Sequence, residues 1–347
     1  MNFLDSQDER IKEYYKVLEP DFPEWLVEYI NTPELLKQQY ISVTCGAFYT
    51  NMVKSNFFYS SLDHSIAVAL IVWHFTHDKK QTLAGLFHDI ATPAFKHAID
   101  FMNGDYITQE STEDLTSKII SDSKEIMSLL NRDGIKLEEV DDYHIYPIAD
   151  NDTPFLSADR LEYTLSNALL VYPDELDYDV DINMIKEIYD DIFVGKDENG
   201  VDELSFKTKK CARNIVKLSN TLSVVYRSHR IVFTMQLIAD ILKRLSEENI
   251  ITKADLYKLK ESEIIDIMKK SKYKEIIEKW QKAEDINVSK EEPKDVYWVN
   301  QKVKVRWIDP LFEGQRMSDA CKIAKKMIDK NMSFDMDVYM YLDFNLE

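Results

Sequence analysis

Apolar residues recur at spacings of three and four along most of the chain, the period of a helix that buries one face, with Lys and Glu filling the positions between them. The pattern predicts helices over residues 22–31, 34–43, 62–76, 80–90, 111–130, 158–171, 181–193, 206–245, 253–258, 262–270, 273–284 and 316–330. Only 7 Gly and 9 Pro punctuate the chain, which keeps the expectation mostly helical. Strand-like sequence comes late, in the runs Val296-Tyr297-Trp298-Val299 and Lys302-Val303-Lys304-Val305-Arg306-Trp307. The two residues between these runs, Asn300-Gln301, predict a hairpin. No glycine-rich loop follows a strand, which argues against a P-loop or dinucleotide-binding fold.

At 347 residues the chain can bury a large core. A polar stretch over 283–295 reads as a linker into a small C-terminal portion. The expected fold is an all-α helical core with a small α+β C-terminal portion. The first region spans 1–250, and an accessory region over 251–347 carries the hairpin.

A net charge of −19 disfavours nucleic-acid binding, because that binding is driven by positive charge displacing counterions. The N-terminal sequence lacks the basic-then-apolar order of a signal peptide, and no apolar run reaches the ~18 residues of a membrane span. Three scattered cysteines, Cys45, Cys211 and Cys321, form no paired motif and fit a reducing compartment. The expectation is a soluble cytoplasmic protein with a small-molecule partner and no membrane.

Charge is unevenly distributed. Residues 174–203 hold twelve acidic side chains against Lys186 and Lys196 and read as a solvated helix plus loop. Residues 204–239 hold Lys207, Lys209, Lys210, Arg213, Lys217, Arg227 and Arg230 without one Asp or Glu. That block is a candidate cradle for several phosphates, with a basic helix face paired to acidic neighbours as the alternative.

Candidate chemistry rests on four residues in apolar helix-like sequence: His64, the adjacent pair His88 and Asp89, and Asp159. An ionised Asp buried there without a partner would cost several kcal/mol, so a cation or donor network is expected. Two imidazoles and two carboxylates suit one divalent transition metal, Fe, Mn, Co, Ni or Zn, with coordination positions left for water and substrate. Tyr163 and Asn167 follow Asp159 at four-residue steps and project from the same helix face. His97, beyond a Thr92-Pro93 break, has Asp100 three residues on, a spacing that lets a carboxylate orient the ring and favour its protonated form.

The quartet resembles the signature of the HD superfamily of metal-dependent phosphohydrolases. The segment His-Asp-Ile-Ala-Thr-Pro-Ala-Phe-Lys-His-Ala-Ile-Asp over 88–100, the helix Ala158-Asp159-Arg160-Leu161-Glu162-Tyr163 and the opening Ile30-Asn31-Thr32-Pro33 resemble the deoxynucleoside triphosphate triphosphohydrolase branch. Val305-Arg306-Trp307-Ile308-Asp309-Pro310 is also similar to it. The resemblance implies His64, His88, Asp89 and Asp159 as metal ligands and His97 with Asp100 as the catalytic pair. It further implies Arg160 on phosphate, Tyr163 and Asn167 on the nucleoside, Mg as a companion of the substrate phosphates, and a homo-oligomer.

The likeness has gaps. Ser61 stands where the branch carries Arg, Val43-Thr44-Cys45-Gly46 replaces a Gln, and Ala91-Thr92 replaces Gly-His. Three readings follow: a triphosphohydrolase of nucleotides; an HD phosphomonoesterase or phosphodiesterase, in which His144 would be a second-metal ligand; and a non-catalytic nucleotide-sensing module. His74 and His77 sit at a polar helix end, and His229 stands in the basic block where it could assist phosphate binding.

Overall fold

The structure, a computed structural model, describes residues 3–55, 57–107 and 115–346. Its centre is the helix Ser61–Thr76, whose residues 61–72 are all buried, so over its first three turns this helix has no solvent face to keep polar. Its start is fixed by a capping box: the Asp63 amide donates to Ser60 Oγ at 3.1 Å and the Ser60 amide to Asp63 Oδ2 at 3.0 Å. His77 closes it in the left-handed conformation. Asp78 then opens the next helix, Lys79–Phe87, by accepting the Lys80 and Gln81 amides. The two helices pack so closely that a Cβ on Gly85 would meet Val72 Cγ2 at 3.3 Å.

Around this pair lie the helices Glu9–Leu18, Ala158–Ser166, Lys209–Tyr226 and His229–Glu247. Most expected helices are present with shorter bounds, and Glu9–Leu18 was not expected. Residues 111–114 of the expected helix over 111–130 lie outside the described residues. From Thr116 onward that stretch is two helices, Thr116–Asp122 and Lys124–Asp133, with Ser123 capping the second. The long helix expected over 206–245 is broken at Arg227 and Ser228. The Arg227 guanidinium folds back onto Ser223 O at 3.1 Å and Asn331 O at 2.8 Å, while Ser228 takes extended backbone angles and restarts the helix.

The β structure differs from expectation. Trp298–Val299 pairs with Tyr339–Tyr341, not with residues 302–307. Tyr339–Tyr341 is the middle strand of three, flanked on its other side by Asn287–Ser289. Residues 302–307 form no strand, because their backbone is engaged elsewhere: the Lys304 amide donates to Tyr106 O at 3.2 Å. The late hairpin lies at Leu311–Phe312 and Gln315–Arg316, turned through Glu313 and Gly314, both left-handed. A further hairpin, Ile192–Lys196 with Asp202–Phe206, occupies the stretch read as loop. Its second strand runs parallel to Leu311–Phe312 and completes a four-stranded sheet. No helix among the described residues is long and apolar enough to cross a membrane.

The later helices dock on the core through specific contacts. Trp280, fully buried, donates its indole N–H to Thr234 Oγ1 at 3.1 Å, and the Ala94 amide donates to Leu256 O at 2.8 Å. Gly46 takes φ +94°, and a Cβ there would collide with Ile238 Cδ1. Replacement of Gly46 by Ala is therefore expected to destabilise the protein by about 2 kcal/mol, read as a lower urea midpoint at unchanged m-value.

Candidate metal centre

Each of the four expected ligands is delivered by a helix terminus or an adjoining turn. His64 lies one turn into the central helix, His88 and Asp89 follow the last residue of Lys79–Phe87, and Asp159 is in the first turn of Ala158–Ser166. Their side chains converge. His64 Nε2 and His88 Nε2 are 3.1 Å apart, and Asp89 Oδ2 is 4.0 and 3.9 Å from them. Asp159 Oδ1 is 3.1 Å from His64 Nε2 and 3.8 Å from His88 Nε2. Among the described residues, His64, His88 and Asp89 form the group whose ligand atoms all lie within 4.8 Å of one another.

The outer ring nitrogens are committed, which decides what the inner ones can do. His88 Nδ1 donates to Gly85 O at 2.7 Å, and His64 Nδ1 is in short contact with the Glu162 carboxylate. With the His64 proton on Nδ1 toward Glu162, the two Nε2 atoms face each other across 3.1 Å, an arrangement that a proton or a cation between them satisfies. Glu162 has no exposed surface, and its other oxygen accepts the Tyr59 hydroxyl at 2.8 Å. Burial alone would depress His64, yet the Glu162 and Asp159 carboxylates hold its pKa up at about 10. Burial likewise opposes ionised Asp89, but Lys96, His88 and His64 outweigh it and hold that carboxyl well below the usual range. A proton or a metal cation answers the same demand, and the donor set fits a metal of the mixed N/O class.

The turn after Asp89 carries further chemistry. Phe95 and Lys96 are both left-handed, with φ of +66° and +45°, a conformation costing on the order of 1–3 kcal/mol per non-glycine residue. Glu261, fully buried, accepts the Phe95 amide at 3.0 Å and secures the turn from beneath; burial pushes its carboxyl up to about 7. Lys96 Nζ consequently meets Asp89 in a short ion pair and donates to Ser61 Oγ at 3.2 Å. His97 Nδ1 bonds Asp100 Oδ2 at 2.9 Å, and Arg306 approaches its Nε2 at 3.3 Å. A guanidinium has donors only, so Nε2 is the acceptor and the proton sits on Nδ1. Desolvation lowers the His97 pKa despite Asp100, with Arg306 and Lys96 adding to the effect. The protonated ring expected from the His97–Asp100 spacing is corrected to a neutral one.

His64, His88, Asp89, Lys96, His97, Asp159, Glu162 and Arg306 line one cavity of about 900 Å³. Tyr163 and Asn167 are on its wall, with the Arg306 guanidinium 6.0 Å above the Tyr163 ring. Asn167 Nδ2 donates to the Tyr226 hydroxyl at 2.8 Å, whereas its buried Oδ1 has no hydrogen-bond partner.

Other expected residues are not brought to the site. Arg160 touches the cavity, but its guanidinium is consumed by Asp150 at 2.7 Å, Ser157 Oγ at 2.8 Å and Asn151. Lys210 pairs with Glu187 at the surface, Arg227 is buried against Asn331, and Arg230 donates to Met52 O at 2.9 Å and pairs with Glu175. None of Lys210, Arg227 and Arg230 lines the cavity, so the basic block is a set of structural anchors rather than a phosphate cradle. His144 is on the rim, held by Asp142 at 2.9 Å and 3.5 Å from Asp150, outside the metal-capable group. His74 bonds Glu19, and His229 does not line the cavity. The sequence reading missed Glu162, Lys96, Lys304 and Arg306. Glu162 was detectable as a carboxylate one turn after Asp159 on a buried helix.

No protein-family model matches the chain. It is 23% identical to the uncharacterized protein YdhJ of Bacillus subtilis over 276 residues, covering 76% of this chain and 78% of that protein. Among solved structures it is similar to a hypothetical protein from Aquifex aeolicus, with a TM-score of 0.63 and 16% identity over 92% of this chain and 93% of that one. It is also similar to a phosphohydrolase from Bacteroides thetaiotaomicron, with a TM-score of 0.57 and 11% identity over 94% of each chain. The likeness is one of fold: a mostly helical core with a minor α+β part.

Two measurements test the centre. Glu162→Gln is expected to weaken divalent-metal affinity about 10- to 100-fold in chelator competition while the far-UV spectrum is kept, because it releases the ring that Glu162 orients. The His97 imidazole is expected to titrate by NMR below 6.5, and lower still in Asp100→Asn. A depressed folded-state pKa means the unfolded chain binds the proton more readily. Its contribution to stability is therefore present above pH 6.5 and lost as the pH falls below it.

Proposed function

We propose that this protein is a metal-dependent phosphohydrolase acting on a small phosphorylated molecule, specifically a nucleotide. The observation that carries the proposal is the meeting of two imidazole Nε2 atoms and Asp89 on the wall of a cavity that also presents neutral His97 and the cationic Lys96, Lys304 and Arg306. The solved phosphohydrolase of similar fold supports it. A divalent metal held by His64, His88, Asp89 and Asp159 would polarise a phosphoryl oxygen and acidify a water.

The chain's own residues supply the rest. Glu162 fixes the His64 tautomer, and Asp100 keeps the His97 proton on Nδ1. His97 Nε2, the unprotonated ring nitrogen, would exchange its contact with Arg306 for a proton from an attacking group and pass that proton to the leaving oxygen, with Arg306 opposing its retention. Tyr163 offers a ring face for a sugar, and Asn167 Oδ1 an unfilled acceptor for a hydroxyl.

The finer reading, carried by the resembling segments, is hydrolysis of a deoxynucleoside triphosphate to deoxynucleoside and triphosphate by a homo-oligomer. A specific observation favours a second one. With the basic block elsewhere, the cavity is lined by Asp150, Asp152, Asp197, Asp202 and Glu203. Since charge-assisted contacts needed by a substrate grow with its phosphate number, an acidic lining suits a monoester or diester better than a triphosphate.

A product screen of the metal-loaded protein against nucleoside mono-, di- and triphosphates separates these readings. Released triphosphate supports the first, and inorganic phosphate or a nucleoside monophosphate released without triphosphate supports the second; no hydrolysis leaves a nucleotide-sensing module and defeats the enzyme reading. With the substrate found, His97→Ala is expected to lower kcat by about 10²–10⁴-fold at unchanged metal content, whereas Asp89→Ala should lose the metal.

A further inference from the structure

We propose that Lys96 is a substrate-binding residue whose ammonium holds a phosphoryl oxygen of the substrate. The inference rests on the phosphohydrolase reading above.

Three observations lead there. The backbone is held left-handed at two successive non-glycine residues, Phe95 and Lys96, and is secured by a buried carboxylate more than 160 positions later, Glu261. Such a turn persists where surrounding structure over-determines it, and what this one delivers is Lys96, 8% exposed, to the cavity wall. The ammonium carries three N–H donors, and Asp89 and Ser61 account for two of them. Among the described residues no third partner is seen, which leaves that donor for a ligand in the cavity. Finally, the carboxylate that Lys96 pairs with, Asp89 Oδ2, is also the atom facing both Nε2 atoms. A cation held there would share Asp89 with Lys96 and weaken the ion pair, leaving the ammonium more of its charge for an incoming anion.

Two of the other cationic groups on the cavity wall are worse placed. Arg160 is saturated by Asp150, Ser157 and Asn151, and Arg306 is turned to His97 and Tyr163. A merely structural Lys96 would serve only to neutralise Asp89. That alternative predicts that removing the ammonium damages the Asp89 site itself.

The test uses Lys96→Met and Lys96→Arg in the full chain, loaded with Mn²⁺, with inorganic phosphate as the calorimetric probe. The proposal expects Lys96→Met to keep or tighten Mn²⁺ binding while weakening phosphate binding on the order of 10- to 100-fold, with the substrate KM raised. Lys96→Arg should recover part of the phosphate affinity, because it restores the charge. Phosphate affinity unchanged in Lys96→Met, or Mn²⁺ lost in it while the fold is kept, would overturn the proposal. If Lys96→Met does not fold, the ¹⁵Nζ resonance of Lys96 in the wild-type protein decides: a shift on phosphate addition supports the contact, and none refutes it. Wild-type protein that neither binds phosphate nor cleaves any phosphoester would instead defeat the phosphohydrolase reading itself.

Discussion

Negative charge gathered around a single point governs this molecule. The Glu162 carboxylate is wholly buried, Asp159 and Asp89 are each about four-fifths covered, and two imidazoles present Nε2 atoms into the space between them. In a low-dielectric interior such an arrangement is tolerated only with compensating cations and donors. Much of the nearby architecture supplies them. Lys96 and Ser61 attend Asp89, the Tyr59 hydroxyl attends Glu162, and the capped helix starts at Ser60 and Ser157 hold His64 and Asp159 in register. Over its first three turns the central helix can afford no solvent-facing side because it must carry His64 at fixed depth while both of its flanks are packed.

The precision of the centre comes from rigid supports meeting at their ends. Gly85 lets the helix that ends at His88 approach the helix that bears His64, and any larger residue would press on Val72 and Val68. The ligand distances are therefore set by helix packing. His97, Lys96 and Arg306 instead sit on turns and extended chain, where a small change in the support moves a functional group. Stability and chemistry are divided between two kinds of scaffold.

The cluster of His64, His88, Asp89 and Asp159 was legible because burial makes ionisable residues expensive, so the four stood out against apolar surroundings. The helices were legible for the related reason that one-sided burial imprints a period. Pairing across distance leaves no such imprint. Lys96 looked like filler until its turn placed it against Asp89, and Arg306 reaches His97 from 209 residues away. The basic block misled because a run of like charge in sequence says nothing of where each side chain ends; Arg227 and Arg230 were spent on carbonyls of Asn331 and Met52. The hairpin at Ile192–Phe206 did leave a signal, the Asn199-Gly200 dipeptide between apolar runs, but the surrounding acidity disguised it.

The support beneath the Phe95 turn bears on how the chain matures. Ala94 and Phe95 make their backbone bonds to Leu256 and Glu261, so the turn that aims Lys96 and His97 cannot close until chain far downstream has folded over it. The helices that carry His64, His88 and Asp159 meet through contacts closer in sequence than these, and such contacts carry the smaller loop-closure cost. The turn that places Lys96 and His97 on the cavity wall therefore depends on chain that is made later.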